Sequence, residues 1–525
     1  MTNETIFILL FIVATAVAIA VRRLNVPYTV ALVVAGLLLG LVHAFEPPHL
    51  TKALLYTIFL PGLLFEAAFH INFEQFWRNR LTIVSLAVPG VIAATALTTV
   101  ILTPVADALD YVQNFSWRHG LAFGALIAAT DPIAVVALFK ELGAPKRLSI
   151  LVEGESLLND GTGIVFFTLS LSVAAGVQTT AGGLAVDFVK IVGFGLLIGG
   201  VIGLIVSQIT KQINDAMIEI TLTTIAAYGS FVAAEHFGYS GVIATVAAGM
   251  VCGNYGARVG MSPSTRLAIE SFWEYVAFAL NSIIFLLIGF EVHLSDLVGS
   301  WQMILVAYLA VTVGRALVIF GVSSFLRTSR ERIPWSWSVI LTWGGLRGAL
   351  PMVLALSLPL SFPHRDLLVT MTFGVVIISI LVHGLTVSRF LKWLGIVAGG
   401  EARMNYEFLK GKLRAAHAAL SDIERLERGR LKNEGVLSDL HEEYEAMIRQ
   451  DEKELDSLEI DQEQLRIEET ENVRRQLLLT ERKHLVESFH QGMLNQRVYE
   501  KLLEDVDARL LQLETTGLKE KEKEG

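Results

Sequence analysis

Residues 120–139 read GLAFGALIAATDPIAVVALF, and this stretch decides the fold. Its length suits one crossing of a ~30 Å hydrocarbon layer, yet Asp131 and Pro132 sit at its centre. Pro132 lacks an N–H and its ring collides with the carbonyl of Ala128, so the helix breaks or kinks there. Asp131, the residue before a proline, is pushed out of the α region. A carboxylate beside freed carbonyl oxygens is a hard-oxygen cation site of the kind found where transporter helices unwind. The alternative is a plain proline kink with Asp131 as a local cap.

Working outward, residues 148–167 read LSILVEGESLLNDGTGIVFF. Ser156 and Asp160 are four apart and share a helix face; Glu155 and Asn159 share another. Glu153 lies nearer the start of the run. Three carboxylates within eight residues of an apolar helix cannot all face lipid, because each charge at mid-bilayer costs at least ~2.5–3.5 kcal/mol. Carboxylates buried together hold either a proton or a cation; the alternative is a structural polar network. Residues 338–358, SVILTWGGLRGALPMVLALSL, place Arg347 four residues before Pro351, with Gly344 and Gly345 allowing the chain to unwind. Two spans of opposite direction thus each carry a central charge and a proline, Pro132 in one and Pro351 in the other. Two crossed discontinuous helices in an inverted repeat have this pattern. A buried guanidinium needs a partner, and Glu155 is the first choice for Arg347. In 54–73, LLYTIFLPGLLFEAAFHINF, Glu66 is mid-span, open between ion contact and a hydrogen bond to a neighbouring helix. Arg315, also mid-span, reads as a structural counter-charge.

The composition sets these spans in context. The chain has 525 residues, 53% hydrophobic and 18% charged, against about 25% charged for an ordinary soluble domain. Residues 1–400 hold 21 basic and 21 acidic residues; residues 401–525 hold the remaining 21 basic and 30 acidic, hence the whole net charge of -9. All 13 prolines lie in the first part. The chain therefore divides into an apolar body, residues 1–395, and a charged helical tail, 396–525. Apolar runs near 4–21, 28–45, 52–70, 82–104, 119–139, 148–175, 184–208, 216–235, 240–254, 268–291, 297–325, 335–359 and 367–390 predict about thirteen transmembrane helices. With the N-terminus outside, fifteen basic residues fall in inner loops and four (Lys52, Arg118, Lys190, Arg365) outside, so the tail is expected in the cytoplasm. The first run has Glu4 and no Lys or Arg ahead of it, unlike a signal peptide. The single cysteine, Cys252, excludes an internal disulfide and reads as a buried small hydrophobe. No basic stripe interleaved with aromatics is present, so nucleic acid is not an expected partner. In the tail, Leu437, Tyr444, Leu458 and Leu465 keep a seven-residue step that Asp451, Gln462 and Glu469 spoil. That leaves a solvated helical hairpin and a coiled coil both open.

Five segments, FEAAF (65–69), ATDPIAVVALFKELGAPKRL (129–148), EGESLLNDG (153–161), FWEYVAFALNSIIFLLIGFEV (272–292) and TWGGLRGALPM (342–352), resemble in order and spacing the cation/proton antiporter-1 family. The likeness is to its NhaP-type sodium/proton antiporters, relatives of the animal sodium/proton exchangers, and covers roughly residues 1–395. The resemblance implies an all-α, thirteen-helix inverted-repeat fold working as a homodimer, with a core domain and a dimerisation domain. It implies ion-binding aspartates at Asp131 and Asp160, a backbone ligand at Thr130, a hydroxyl ligand at Ser156, and a carboxylate reaching the ion through water at Glu66. It further implies that Asn159 belongs with these ion- and proton-binding residues, that the pair Asn159–Asp160 goes with electroneutral exchange, and that Glu155 and Arg347 form a stabilising ion pair. None of these positions departs from the family pattern. The tail matches no animal-type regulatory domain, so its ligand or partner stays open.

The function expected is exchange of Na⁺, or Li⁺, for protons by alternating access in the cell membrane, with the cation as cargo and no cofactor. The same fold carrying K⁺, a cation channel, and a sensor signalling through the tail are the alternatives. A membrane enzyme has no support, since neither HExxH, GxSxG nor a P-loop occurs.

Overall fold

The structure, a computed structural model, describes residues 3–24, 27–42, 55–108, 115–176, 180–213, 215–257, 261, 263–291, 294–329, 331–397, 400–428 and 434–456, with short runs between 470 and 509. Leu458, Leu465, Gln462 and Glu469 of the tail pattern, and the loop charges Lys52, Arg258 and Arg330, lie outside the described residues. The chain divides into two units, Met1–Ala398 and Gly399–Gly525.

Among the described residues of the body every element is helical. α1 is Asn3–Leu24, α2 Tyr28–Leu41, α3 residues 55–70, and α4 Arg80–Ala108. The next span is split into α5a, Trp117–Ile127, and α5b, Ile133–Leu142. α6 is Lys146–Ala174, α7 Ala181–Thr210, α8 Ala216–His236, α9 Gly241–Gly256, α10 Pro263–Glu291 and α11 Trp301–Phe325. A second split span gives α12a, Trp335–Trp343, and α12b, Ala349–Leu356, before α13, Arg365–Trp393. Each of the thirteen apolar runs thus contains helix, and among the described residues seven helices are long and apolar enough to cross a membrane. Their outward faces fit a lipid solvent: α7 exposes Val189 at 67% and Leu197 at 58%, which water would penalise.

Local chemistry explains the irregularities. In α4 the turn Leu86–Gly90 widens to a π-helix around Pro89, because a proline removes one backbone donor and displaces the preceding turn. The loosened Ala87 carbonyl accepts from Thr162 Oγ1 at 2.8 Å, tying α6 to α4. Where α4 starts, the orphan N–H of Thr82 donates to the buried carboxylate of Glu331 at 2.8 Å, the complement a helix N-terminus favours. α13 widens over Ser379–His383, and that turn faces the second split span, as described below.

The tail unit holds α14, Gly400–Arg428, and α15, Glu434–Asp456. They pair as a hairpin over Leu413, Ala416 and Ile448, with Leu420, Tyr444 and Leu455 alongside. Lys412 donates to Asp451 at 2.7 Å. Asp451, which interrupts the heptad step, is therefore a hairpin contact.

Candidate functional site

Both split spans break over five residues, 128–132 and 344–348, and each break contains the carbonyl that its proline ring excludes, Ala128 for Pro132 and Arg347 for Pro351. Pro132 stands at the N-cap of α5b and Pro351 in the first turn of α12b, where a missing N–H costs nothing because those donors lack helical partners anyway. The two breaks cross. The Asp131 N–H donates to the Leu346 carbonyl at 2.8 Å, an isolated antiparallel bridge. Gly348 makes the approach possible: a Cβ there would lie 2.4 Å from Asp131 Oδ2 and 2.5 Å from its Cβ.

Each break frees carbonyls at the end of its first half-helix, and each set is covered by an arginine. Arg347 Nη1 donates to Ala128 O at 2.8 Å and Ala129 O at 3.1 Å. Arg315, arriving from α11, donates to Leu341 O of α12a from Nη2 at 2.9 Å and from Nε at 3.2 Å. Gly345 lets it pass, since a Cβ there would stand 2.2 Å from Arg315 Nε. The same guanidinium grips Glu155 in a two-pronged pair, Nη1 to Oε1 at 2.8 Å and Nη2 to Oε2 at 3.1 Å. This corrects the expected pairing: the carboxylate partner of Glu155 is Arg315, and Arg347 is spent on backbone carbonyls. The planar fork of arginine suits the carboxylate, and helix-end carbonyls carry partial negative charge enough to attract the second guanidinium. The backbone N–H of Arg347 donates to Ser379 Oγ at 3.1 Å, so the widened turn of α13 holds the second break in place.

On the α6 side, Ser156 Oγ donates to the Thr130 carbonyl in a short contact. Asn159 Nδ2 donates to Ala128 O at 3.1 Å and to Thr130 Oγ1 at 3.2 Å. A carbonyl only accepts, so the amide orientation is fixed with Oδ1 turned away. Asn159 lines a separate cavity of about 20 Å³ with Glu155, Arg315 and Arg347. It braces the first break from behind.

In front of the break lies a cavity of about 900 Å³. Thr130, Asp131, Ser156 and Asp160 line it, together with Glu66 and Glu153; Lys140 and Asn72 line it where the ends of α5b and α3 reach it. Asp131 Oδ1 accepts from the Ile133 N–H at 3.0 Å, capping α5b, so the capping role and the cavity-facing role belong to one residue. Asp160 has no hydrogen bond or ion pair among the described residues. Glu66 is held one turn toward the ends of the helices by His70 Nδ1, 3.2 Å from its Oε1. The six proposed ligands divide accordingly: Asp131, Asp160, Thr130, Ser156 and Glu66 share the cavity, and Asn159 does not. No group of three or more His, Cys, Asp or Glu among the described residues is arranged to hold a tightly bound metal, and the donors present are hard oxygens, which suit a weakly held cation.

Sequence reasoning placed both arginines in mid-span but could not see which carbonyls they cover. The available signal was Gly345, whose missing side chain leaves the room that Arg315 occupies. Ser379 and Glu331 gave no signal in one dimension.

The chain matches known proteins along most of its length. A family model described as "Sodium/hydrogen exchanger, transmembrane" matches residues 7–393. The chain is similar to the Na⁺/H⁺ antiporter NhaG of Bacillus atrophaeus, 36% identical, with 85% of each chain covered. It is likewise similar to the Na⁺/H⁺ antiporter ApNhaP of Aphanothece halophytica, 36% identical over 79% of this chain and 80% of that one. The fold is similar to the sodium proton antiporter MjNhaP1 of Methanocaldococcus jannaschii, with a TM-score of 0.61 and 20% identity over 75% of this chain and 99% of the other.

Proposed function

The chain belongs to the sodium/hydrogen exchanger family of multi-pass membrane transporters, and from that premise we propose that it exchanges Na⁺ for protons at the crossing of its two split helices. The observation that carries the reading is the 900 Å³ cavity ending on Asp131, Asp160, Ser156 and Thr130. Asp160 and Asp131 hold the cation, with Ser156 Oγ and the Thr130 carbonyl completing an oxygen shell; protonation of Asp160 displaces the ion. Glu66 attracts cations toward the site. Asn159 keeps the first break open without touching the cargo.

A charge count supports one-for-one exchange. Arg315 neutralises Glu155, which leaves Arg347 against Asp131 and Asp160. One Na⁺ or one proton brings that remainder to zero, so the moving part carries the same charge in both directions. The membrane potential, worth ~2.3 kcal/mol per charge per 100 mV, then exerts little net drive. We further place the protein in the cell membrane as a homodimer, N-terminus outside, with the cavity open to the cytoplasmic side where Lys140 and Lys146 line it.

The test is reconstitution in proteoliposomes with Na⁺, Li⁺ and K⁺ gradients across a pH series. Saturable proton movement driven by Na⁺, lost in Asp160→Asn, is the expected outcome. Full Na⁺-driven proton movement in that variant overturns the assignment, movement with K⁺ alone overturns the cargo, and a flux that does not saturate indicates a channel.

A further inference from the structure

At the end of α5a opposite Lys140 and the cavity mouth, a histidine does the work usually given to glutamate. Ser116 precedes α5a, and His119 is the third residue of its first turn. The Ser116 backbone N–H donates to His119 Nδ1 at 2.9 Å, while the His119 N–H donates to the Ser116 carbonyl at 3.0 Å. The Ser116 side chain in turn accepts from the His119 backbone N–H, which completes a capping box, and its hydroxyl lies 3.2 Å from the same ring nitrogen. A backbone N–H is only ever a donor, so Nδ1 must present its lone pair, and the neutral ring carries its proton on Nε2. A second proton has nowhere to go except Nδ1, where it abolishes the acceptor and sets two N–H groups against each other.

The surroundings oppose that proton as well. His119 is 7% exposed. The His364 ring crosses it edge-on with centroids 4.9 Å apart, and Phe115 and Phe362 close the sides. His364 is fixed there by a left-handed backbone, φ 58°, at the start of α13. Two helix N-termini thus meet at the imidazole pair, and both dipoles disfavour positive charge. The charged groups on every packed element offer no relief. Arg118 is the neighbour on α5a itself. Arg365 of α13 is turned to the Leu356 and Leu358 carbonyls. Asp366 and, at the near end of α4, Asp107 point to the surface. The near half of α6, residues 163–174, has no charged residue.

We infer that His119 is a positioning residue for α5a whose hold fails in acid, so that a low pH on this face loosens the half-helix carrying Ala128, Thr130 and Asp131 and slows transport. The sign follows from linkage: the uncapped state takes up the proton that the capped state refuses, so falling pH favours it. The device rests on the exchange reading and adds a second, separate pH dependence to it.

The test is labelled Na⁺/Na⁺ self-exchange in proteoliposomes at equal pH on both sides and saturating Na⁺, which removes proton competition at Asp160. Between pH 7.5 and 5.5 the wild-type rate is expected to fall about fivefold, the scale of one lost cap. His119→Gln, whose side-chain oxygen accepts the Ser116 N–H without titrating, should hold its pH 7.5 rate. His364→Asn, tolerant of the left-handed backbone, should move the acid limb to higher pH. Hydrogen exchange of the 116–127 segment in the wild type gives an answer independent of any variant's folding: protection should drop at pH 5.5. Superimposed rate profiles for wild type and His119→Gln, or unchanged protection, overturn the inference. Absence of Na⁺ exchange in the wild type at pH 7.5 instead overturns the proposed function.

Discussion

The two split helices are built to one plan and used differently. Each breaks over five residues beside a proline, and each leaves carbonyls that a guanidinium covers. At the α12 break the arginine is imported from α11 and is paired with Glu155, so the assembly is closed and neutral. At the α5 break the arginine comes from the crossing partner and its side chain meets only carbonyls, so on the proposed function its charge is balanced by Asp131, Asp160 and the cargo. The N-cap position also differs. Asp131 supplies a carboxylate next to the start of α5b, whereas α12b begins after Gly348, whose missing side chain makes the room that carboxylate occupies. On the proposed function, one break holds the chemistry and the other holds the space for it.

The largest expected effect falls on the chemical side. Asp131→Asn keeps the shape and the Ile133 cap but removes the charge; Na⁺-driven proton movement should drop at least ~100-fold, as for a group acting on the reacting ion itself. Next comes the difference between the arginines. Arg315→Met strands Glu155 as a buried unpaired charge, an expected loss of ~3–5 kcal/mol in thermal unfolding in detergent, largely restored by adding Glu155→Gln. Arg347→Met strands the Ala128 and Ala129 carbonyls and no paired carboxylate, about 1–3 kcal/mol, and should be additive with Glu155→Gln. Coupling of Glu155 to Arg347 rather than Arg315 would reverse the correction made above. Gly348→Ala drives a methyl into Asp131, with about 1–3 kcal/mol of overpacking and a fall in exchange rate of roughly tenfold. The smallest effect belongs to the tail. Asp451→Ala should loosen the α14–α15 hairpin by about 1 kcal/mol, read by circular dichroism, and leave transport by the body intact.

Much of this was legible in the sequence because membrane burial makes charges conspicuous. Asp131, Asp160, Arg315 and Arg347 stood out against apolar runs, and Pro132 and Pro351 announced both breaks. The pairing of the charges was not legible. Two arginines and Glu155 lie on three different spans, and the choice between them depends on where the freed carbonyls of Ala128 and Leu341 point, a three-dimensional matter. Asn159 misled for a related reason: its place beside Asp160 in the chain suggested a shared ligand role, but neighbours in a helix are turned by about 100°. That rotation carries Asn159 behind the break and Asp160 into the cavity. His119 was silent in sequence because a capping box is ordinarily read from Glu or Gln at that position.

The central claim is that sodium and a proton compete for the carboxylates at one break. Titrating Na⁺ into the purified protein, in two buffers of different ionisation enthalpy, counts the protons released per ion bound. Competition predicts release approaching about one proton per Na⁺ near the pH where affinity changes by about tenfold per unit, and none in Asp160→Asn. Sodium binding to the wild type without proton release, at every pH, would contradict it.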